Sequence, residues 1–478
     1  MAFTRFFAGL AAAETLAPLR YRNYFLLWSG QGAHAFALWG EQIARPFLVF
    51  SLVEGKQEQA VALGFVIALR TLPQLFFGVF AGVISDWFDH RLILLLTKVG
   101  VVALSVVFAA LLVFGMMELW HVYVFSFVRG SLMAFDQPAR QAMIANVVPA
   151  DQMTRAVALM SATQNIMRIV GASAGGFAVA ILGLTGTFVV IAAIYTGAVG
   201  ATYFINVAFQ AKPAESGAGA MARGLVEGFK YAWTNKPVRG ILLMSLVYFT
   251  FGMSYIQVFA PIFANDVITF RGEFIGSGGL GIMTALTGVG ALIGALIVAS
   301  RQPTRVGLLL PLVVVGFGTM LILFSAATYL GAPLGLIVPF AVLGFAGVLQ
   351  TAYFSMSNAA LLAAAPVEMR GRVISLLSLD RAMVTLGASG AGFLTAYAGV
   401  QVAQIIYGAI CIGGGLFVLA FFQELRHARM EGTFGFSSGR HPVEPPAAPL
   451  PEAAREPAGT AVASSNATAA EPGAARTA

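Results

Sequence analysis

The sequence predicts an all-α membrane protein, twelve transmembrane helices in two pseudo-symmetric six-helix bundles, and three observations predict it. First, 58% of the 478 residues are hydrophobic and only 10% are charged, whereas soluble domains carry about 25% charge. Second, no charged residue occurs over 169–211, 306–367 or 382–423, stretches of 43, 62 and 42 residues. Each is too long for one span of about 20 residues and long enough for two. Third, the halves repeat. Pro149-Ala-Asp-Gln-Met-Thr-Arg155 aligns with Pro366-Val-Glu-Met-Arg-Gly-Arg372, Gly171-Ala-Ser-Ala-Gly-Gly-Phe177 aligns with Gly387-Ala-Ser-Gly-Ala-Gly-Phe393, and Pro46 precedes Pro261 by a similar interval of 215 residues. Such spacing marks a duplicated bundle, with helix 1 matched to 7, 2 to 8 and 5 to 11.

In chain order, residues 1–22 form a cytoplasmic leader, because Arg20 and Arg22 run directly into a hydrophobic helix instead of an exported domain. The spans fall near 23–52, 60–85, 91–115, 119–146, 155–182 and 186–209, then 238–265, 274–300, 305–328, 334–362, 370–398 and 401–424. Turn residues at Gly183 to Gly186, Gly331 to Pro333 and Gly399 divide the three uncharged blocks. Residues 23–210 make the first bundle and 238–425 the second. In the linker 211–237, Leu225, Phe229, Ala232 and Trp233 share one helical face, the pattern of a helix lying at the membrane surface. Residues 426–478 turn to Ala, Pro, Glu, Ser and Gly, too polar to bury a core, and read as a disordered cytoplasmic tail.

The net charge of +7 sits at helix ends, not in a patch, which excludes nucleic acid as a partner. Eighteen lysines and arginines, Lys98 among them, collect on one face and only Lys56 and Arg271 on the other. The positive-inside bias therefore puts both termini and the 82–91 turn in the cytoplasm of a multi-pass protein of the cell (inner) membrane. The single cysteine, Cys411, lies in an apolar run and serves packing. The sequence holds no phosphate loop and no nucleophile motif, and its five histidines, 34, 90, 121, 427 and 441, are scattered. An enzyme, a metal site and a cofactor are therefore not expected.

Charges inside spans cost at least a few kcal/mol and are retained beside a cavity or a partner. Here Glu41 and Arg45 lie four apart on helix 1, Arg129 and Asp136 share a face of helix 4, Asn165 and Arg168 lie on helix 5, and Asp380 and Arg381 on helix 11. Collectively they outline a water-filled central cavity. Glu41, with Asp136 second, is the candidate for proton coupling. Small-residue pairs, Gly78-x-x-x-Gly82, Gly171-x-x-x-Gly175, Gly290-x-x-x-Gly294 and the cluster Gly387, Gly390, Gly392, provide faces for close helix approach.

The turn Gly82-Val-Ile-Ser-Asp86-Trp-Phe-Asp89-His90-Arg91 resembles the G-x-x-x-D-R-x-G-R-R signature between helices 2 and 3 of the major facilitator superfamily. Trp87, Asp89 and His90 stand where that pattern has Arg, Gly and Arg. Arg22-Asn23-Tyr24-Phe25 with Leu27-Trp28, Asp136-Gln-Pro-Ala-Arg140 and Arg370-Gly-Arg372 resemble its enterobactin-exporter and macrolide-efflux branch over roughly residues 20–425. Gly171 to Gly176 is partly similar to the antiporter signature on helix 5, with Ala172 in place of its Pro. The resemblance implies the superfamily fold, a seam of helices 2 with 11 and 5 with 8, and a cytoplasmic latch from Asp86 to the start of helix 11. The gating set is then Asp86, Arg91, Arg370, Arg372 and Asp380. Phe36, Arg129, Asn165, Arg168, Tyr255, Phe259, Tyr353, Phe354 and Arg381 are the candidates for substrate contact.

The expected function is secondary transport by alternating access, exporting a small amphipathic molecule, siderophore or drug-like, in exchange for protons. The partners are that substrate, protons and the lipid bilayer, and the chain acts as a monomer. An uptake carrier or a lysophospholipid flippase could use the same architecture; a polytopic membrane enzyme could use the buried carboxylates for chemistry, though no catalytic motif accompanies them, and a sensor or scaffold would leave the buried charges idle.

Overall fold

The computed structural model describes residues 14–206, 227, 229–301, 305–330, 334–364, 380–426, 429–431 and 435–437, and their side chains except at 14–15, 75, 79–87, 362–363, 380–382 and 429–437. The described chain is nearly all helical. A 3₁₀ turn, Glu14–Arg20, leads into α1 (Arg22–Leu52), and α2 (Lys56–Trp87), α3 (His90–Val113) and α4 (Leu119–Val147) follow. One run, Met153–Tyr203, is broken at Gly183, where φ is +67°. Only glycine adopts that backbone without strain, so the run divides into α5 (153–182) and α6 (184–203), inside the stretch that the sequence marks for a turn.

The second half begins with α7 (Lys236–Asp266), which Asn235 caps by accepting from the Val238 N–H at 3.1 Å. Two π-helical turns, Tyr248–Gly252 and Tyr255–Phe259, widen it just before Pro261, whose missing N–H interrupts the α ladder. A tight hairpin, Thr269–Phe270 paired with Glu273–Phe274, turns on Arg271 and Gly272, both at positive φ. Then come α8 (Gly276–Arg301), α9 (Val306–Ala327), α10 (Leu334–Ala364), α11 (Asp380–Ala398) and α12 (Val400–Phe421). By length and apolar composition, eight stretches of the described residues can cross a bilayer, one of them the double-length run through Gly183. The helices α1, α4 and α11 are more polar, and α1 and α4 carry buried ion pairs. The stretch expected to be disordered differs at its start: Arg429–Glu431 pairs antiparallel with Gly435–Ser437.

The 82–91 turn takes its shape from Asp89. Its carboxylate caps α3 by accepting from the Arg91 N–H at 2.8 Å, so an acid where the signature has glycine supplies a helix start signal. The 32 residues of α2 rise ~48 Å and hold Lys56 and His90 at opposite ends. At the Lys56 end, its ammonium lies 3.6 Å from Asp266 of α7, next to the hairpin that bears Arg271. In the linker, Phe229 and Trp233 are exposed and stacked, with centroids 5.9 Å apart, while Ala232 is buried. Leu225 lies outside the described residues.

The two halves meet along α2 with α11 and along α5 with α8, the seam that the resemblance implies. Among the described residues, the closest approaches lie near the starts of α2 and α8. Close approach there is made by glycines other than those of the G-x-x-x-G pairs. A Cβ on Gly64 would stand 2.8 Å from the Ala388 carbonyl, and one on Gly281 would stand 2.9 Å from the Ala172 carbonyl. Gly171 and Gly175 instead press on Phe36 and Gly40 of α1, and Gly290 and Gly294 on Gly344 and Val348 of α10, all within one half. No atom of the described residues would lie within 4 Å of a Cβ on Gly78. A helix presents several small-residue faces, and spacing alone does not say which one crosses the seam.

The glycine contacts, at the seam and within each half, repeat between the halves. Gly64 faces Ala388 and Gly392 as Gly281 faces Ala172 and Gly176, and Gly130 covers the Arg70 carbonyl as Gly347 covers the Thr287 carbonyl. Along α2 and α8, and along α4 and α10, the equivalent residues are 217 apart in sequence. Lower on the first seam, the hydroxyls of Thr71 and Thr385 lie 2.5 Å apart. Cysteines introduced at both positions should therefore cross-link on oxidation and stop transport in proteoliposomes, and reductant should restore it; undiminished transport by the cross-linked protein would show that this seam does not open.

Candidate functional site

The polar core of the first half grows from α1. Glu41 and Arg45 are one helical turn apart and form an ion pair inside the bundle. From α4, an Arg129 guanidinium nitrogen lies 3.0 Å from Glu41 Oε2. From α6, the Tyr195 hydroxyl donates to the same oxygen at 2.9 Å and accepts from Arg129. The guanidinium of Arg129 also sits over the Tyr195 ring, 4.7 Å from its centroid, and that of Arg45 over Phe125 at 5.7 Å. Glu41 is 2% exposed and Arg129 fully buried. One carboxylate thus holds three helices through two cations and a phenol, the arrangement under which buried charge is tolerated.

A second group lies nearby. Asp136 pairs with Arg140 at 3.5 Å, one turn along α4, and not with Arg129. Lys98 of α3, counted from sequence with the surface cations, is buried at 2% exposure, because α3 starts at His90 and carries it two turns into the bundle. Its ammonium has no hydrogen-bond partner among the described residues, while Asp136 attracts it electrostatically. His34 is buried against the Tyr195 ring at 5.1 Å.

At the junction of the halves, Arg168 of α5 donates to Gln350 Oε1 of α10 at 3.0 Å and lies over Trp39 of α1 at 5.6 Å. Asn165 is exposed and bonds the Ser161 carbonyl at 3.0 Å. Phe36 is half-buried, its backbone against Gly171. The aromatic candidates of the second half pack together. Tyr353 stacks on Tyr248 at 4.1 Å and donates to Ser245 at 2.9 Å. Tyr255 meets Phe317 edge-on at 5.7 Å, and Phe259 meets Tyr407 at 5.2 Å. Phe354 is half-buried beside Phe249.

Of the gating candidates, Arg91 donates to the Tyr203 carbonyl at 2.8 Å and so ties the start of α3 to the end of α6. Asp86 lies in the last turn of α2, and Asp380 and Arg381 open the described part of α11, their side chains outside the described residues. Arg370 and Arg372 lie outside them as well. Sequence reasoning passed over Tyr195, Arg70, Gln257 and Gln350. Arg70 carried a signal, a lone cation in mid-span; Tyr195 carried none, being one polar atom in an uncharged block.

A family model described as transmembrane secretion effector matches residues 13–438. The chain is 24% identical over 380 residues to the staphyloferrin A transporter of Staphylococcus aureus, covering 77% of this chain and 86% of that one. It is 28% identical over 155 residues to macrolide efflux protein A of Streptococcus pyogenes, covering 32% of this chain and 37% of that one. Among solved structures, the POT-family transporter PepTSo superposes with a TM-score of 0.68 at 12% identity, covering 85% of this chain and 98% of that one. These are transporters, not enzymes.

Because Glu41 has both cations as partners, Arg129→Met should leave Arg45 to hold the carboxylate alone, whereas Glu41→Gln should strand two buried guanidinium groups. Each single change is expected to cost about 3–5 kcal/mol. The double variant should cost clearly less than their sum, read by denaturant titration of the purified protein.

Proposed function

The chain belongs to the transmembrane secretion effector family of the major facilitator superfamily, and from that premise we propose that it exports a small amphipathic molecule, siderophore-like or drug-like, in exchange for protons. The observation that carries the proposal is the buried Glu41 cluster, placed beside a seam whose closest contacts among the described residues lie near the starts of α2 and α8. Secondary transport against a gradient has to draw on a second gradient, and the inward proton gradient serves an exporter only by exchange. A proton on Glu41 removes the negative charge that Arg45 and Arg129 share. Two unpaired buried cations cost several kcal/mol, and relief of that cost is the work available to drive the bundle from one arrangement to the other.

With both termini in the cytoplasm of the inner membrane, as the cation bias argues, the seam contacts close the extracytoplasmic side. Support for a cytoplasmic opening comes from α2 and α5, where Phe76, Asn165 and Ile166 are exposed. In this reading a single chain suffices. Asp136 is the second proton site; Phe36, Arg129, Asn165, Arg168 and Arg381 line the path from the first bundle and α11; Tyr255, Phe259, Tyr353 and Phe354 form its wall in the second. Asp86, Arg91, Arg370, Arg372 and Asp380 close the cytoplasmic side. An uptake carrier would move solute with protons, and a lysophospholipid flippase would move a labelled lysolipid between leaflets without a pH gradient, so proteoliposome flux at imposed gradients separates the three.

Glu41→Gln should abolish accumulation driven by a pH gradient, at least tenfold, and retain solute counterflow at equal pH; full retention of gradient drive would pass the proton role to Asp136. Asp86→Ala should reduce transport severalfold at normal membrane insertion, and wild-type flux at wild-type abundance would remove Asp86 from the mechanism.

A further inference from the structure

One cavity in the membrane interior is lined by both halves and touches the Glu41 cluster without belonging to it. Arg45 of α1 and Arg70 of α2 stand on one side, and Ile256 and Gln257 of the widened turn of α7 on the other. Both arginines turn a buried Nε into surroundings where it has no hydrogen-bond partner among the described residues, and Arg45 is 5% exposed. An unsatisfied N–H of a buried cation is costly. The charges do not balance either: Arg45, Arg70 and Arg129 repel one another, and Glu41 is the one carboxylate among the described residues that pairs with any of them.

The cavity measures about 30 Å³, space for roughly two water-sized atoms. That is the size of the oxygen pair of a carboxylate, and far too small for a whole amphipathic molecule. A guanidinium edge is shaped to donate to such a pair, and an amide N–H complements it.

We propose that Arg45 and Arg70 of the first half, with Gln257 of the second, form a site for an acidic group, a carboxylate or similar oxyanion, of the transported molecule. The acid fills the cavity while the apolar remainder lies along the aromatic groups of the second half. The ligand's charge offsets the surplus of cations, and because both halves contribute, binding pulls them together. The substrate is thereby an amphipathic acid. This rests on the transporter reading above, and its test separates the two.

Purified full-length protein is titrated with benzoate and with benzamide, which match in shape and differ in charge, with thermal stability as the readout. Benzoate should stabilise the wild type and benzamide should not. Arg70→Gln should weaken benzoate at least tenfold, and Arg70→Lys, which keeps the cation, should lose less. Equal response to both probes, or unchanged benzoate affinity in Arg70→Gln protein that elutes as wild type on size exclusion, would overturn the site. In parallel, proteoliposomes are assayed for counterflow of an acidic dye, anilinonaphthalene sulfonate, and a basic one, ethidium. Preference for the acid supports the site, and movement of ethidium alone overturns it while leaving transport standing. Movement of neither dye, with benzoate still bound through Arg70, overturns the transport reading and upholds the site.

Discussion

The organisation of the first bundle depends on one carboxylate that the bilayer does not let stand alone. Glu41 is buried within the bundle, and α1 turns it toward Arg129 of α4 and Tyr195 of α6. That rotation fixes everything else on α1. Gly40, one residue before, then faces Gly171 and Gly175 of α5, where the absence of side chains lets the two backbones touch. Arg45, one turn later, follows Glu41 inward and lines the cavity shared with α7. A hydrophobic bundle in lipid has little to specify its helix rotations, since tails and leucines are equally apolar. Here the polar cluster supplies that specificity, at an electrostatic cost that only a complete set of partners offsets.

How much of this is legible in the sequence follows from the range of each signal. Glu41 and Arg45 are four apart, so local helix geometry alone pairs them. Arg129 and Asp136 share a face, but seven residues rise ~10.5 Å, beyond a direct pair; Asp136 instead takes Arg140, four residues on, and Arg129 is free for Glu41. The partner across helices could not be read from spacing. Tyr195 illustrates the limit: its hydroxyl completes the cluster, yet one phenol in an uncharged block is indistinguishable from packing. Asp89 is the reverse case, a departure from the family signature that its helix-capping chemistry explains locally.

Small residues show the same division between local and global information. The G-x-x-x-G spacing correctly marks positions where backbones approach, because any close pair of helices needs them. Which pair is brought together depends on the azimuth of each helix in the assembled bundle. On α5, Gly175 faces α1 and its neighbour Gly176 faces α8, a difference of one residue, or about 100° around the helix. The internal repeat resolves this where spacing does not: Gly176 and Gly392 occupy equivalent places in the two motifs, and both lie on the seam.

The duplicated halves have kept their backbone contacts and exchanged their chemistry. Gly130 and Gly347 make the same approach to residues 70 and 287, which are arginine in one half and threonine in the other. The residue before each glycine is Arg129 in the first half and Ala346 in the second. Glu41 corresponds within one residue to Tyr255, whose hydroxyl meets Thr287 at 3.3 Å. Where the first half has charges locked to one another, the second has Tyr248, Tyr255, Phe317 and Tyr353 packed ring against ring. Ion pairs are directional and tend to hold discrete arrangements, whereas aromatic surfaces are broad and tolerate displaced contacts. The first kind stands on one side of the seam and the second on the other, so the two halves differ in how discrete their internal contacts are.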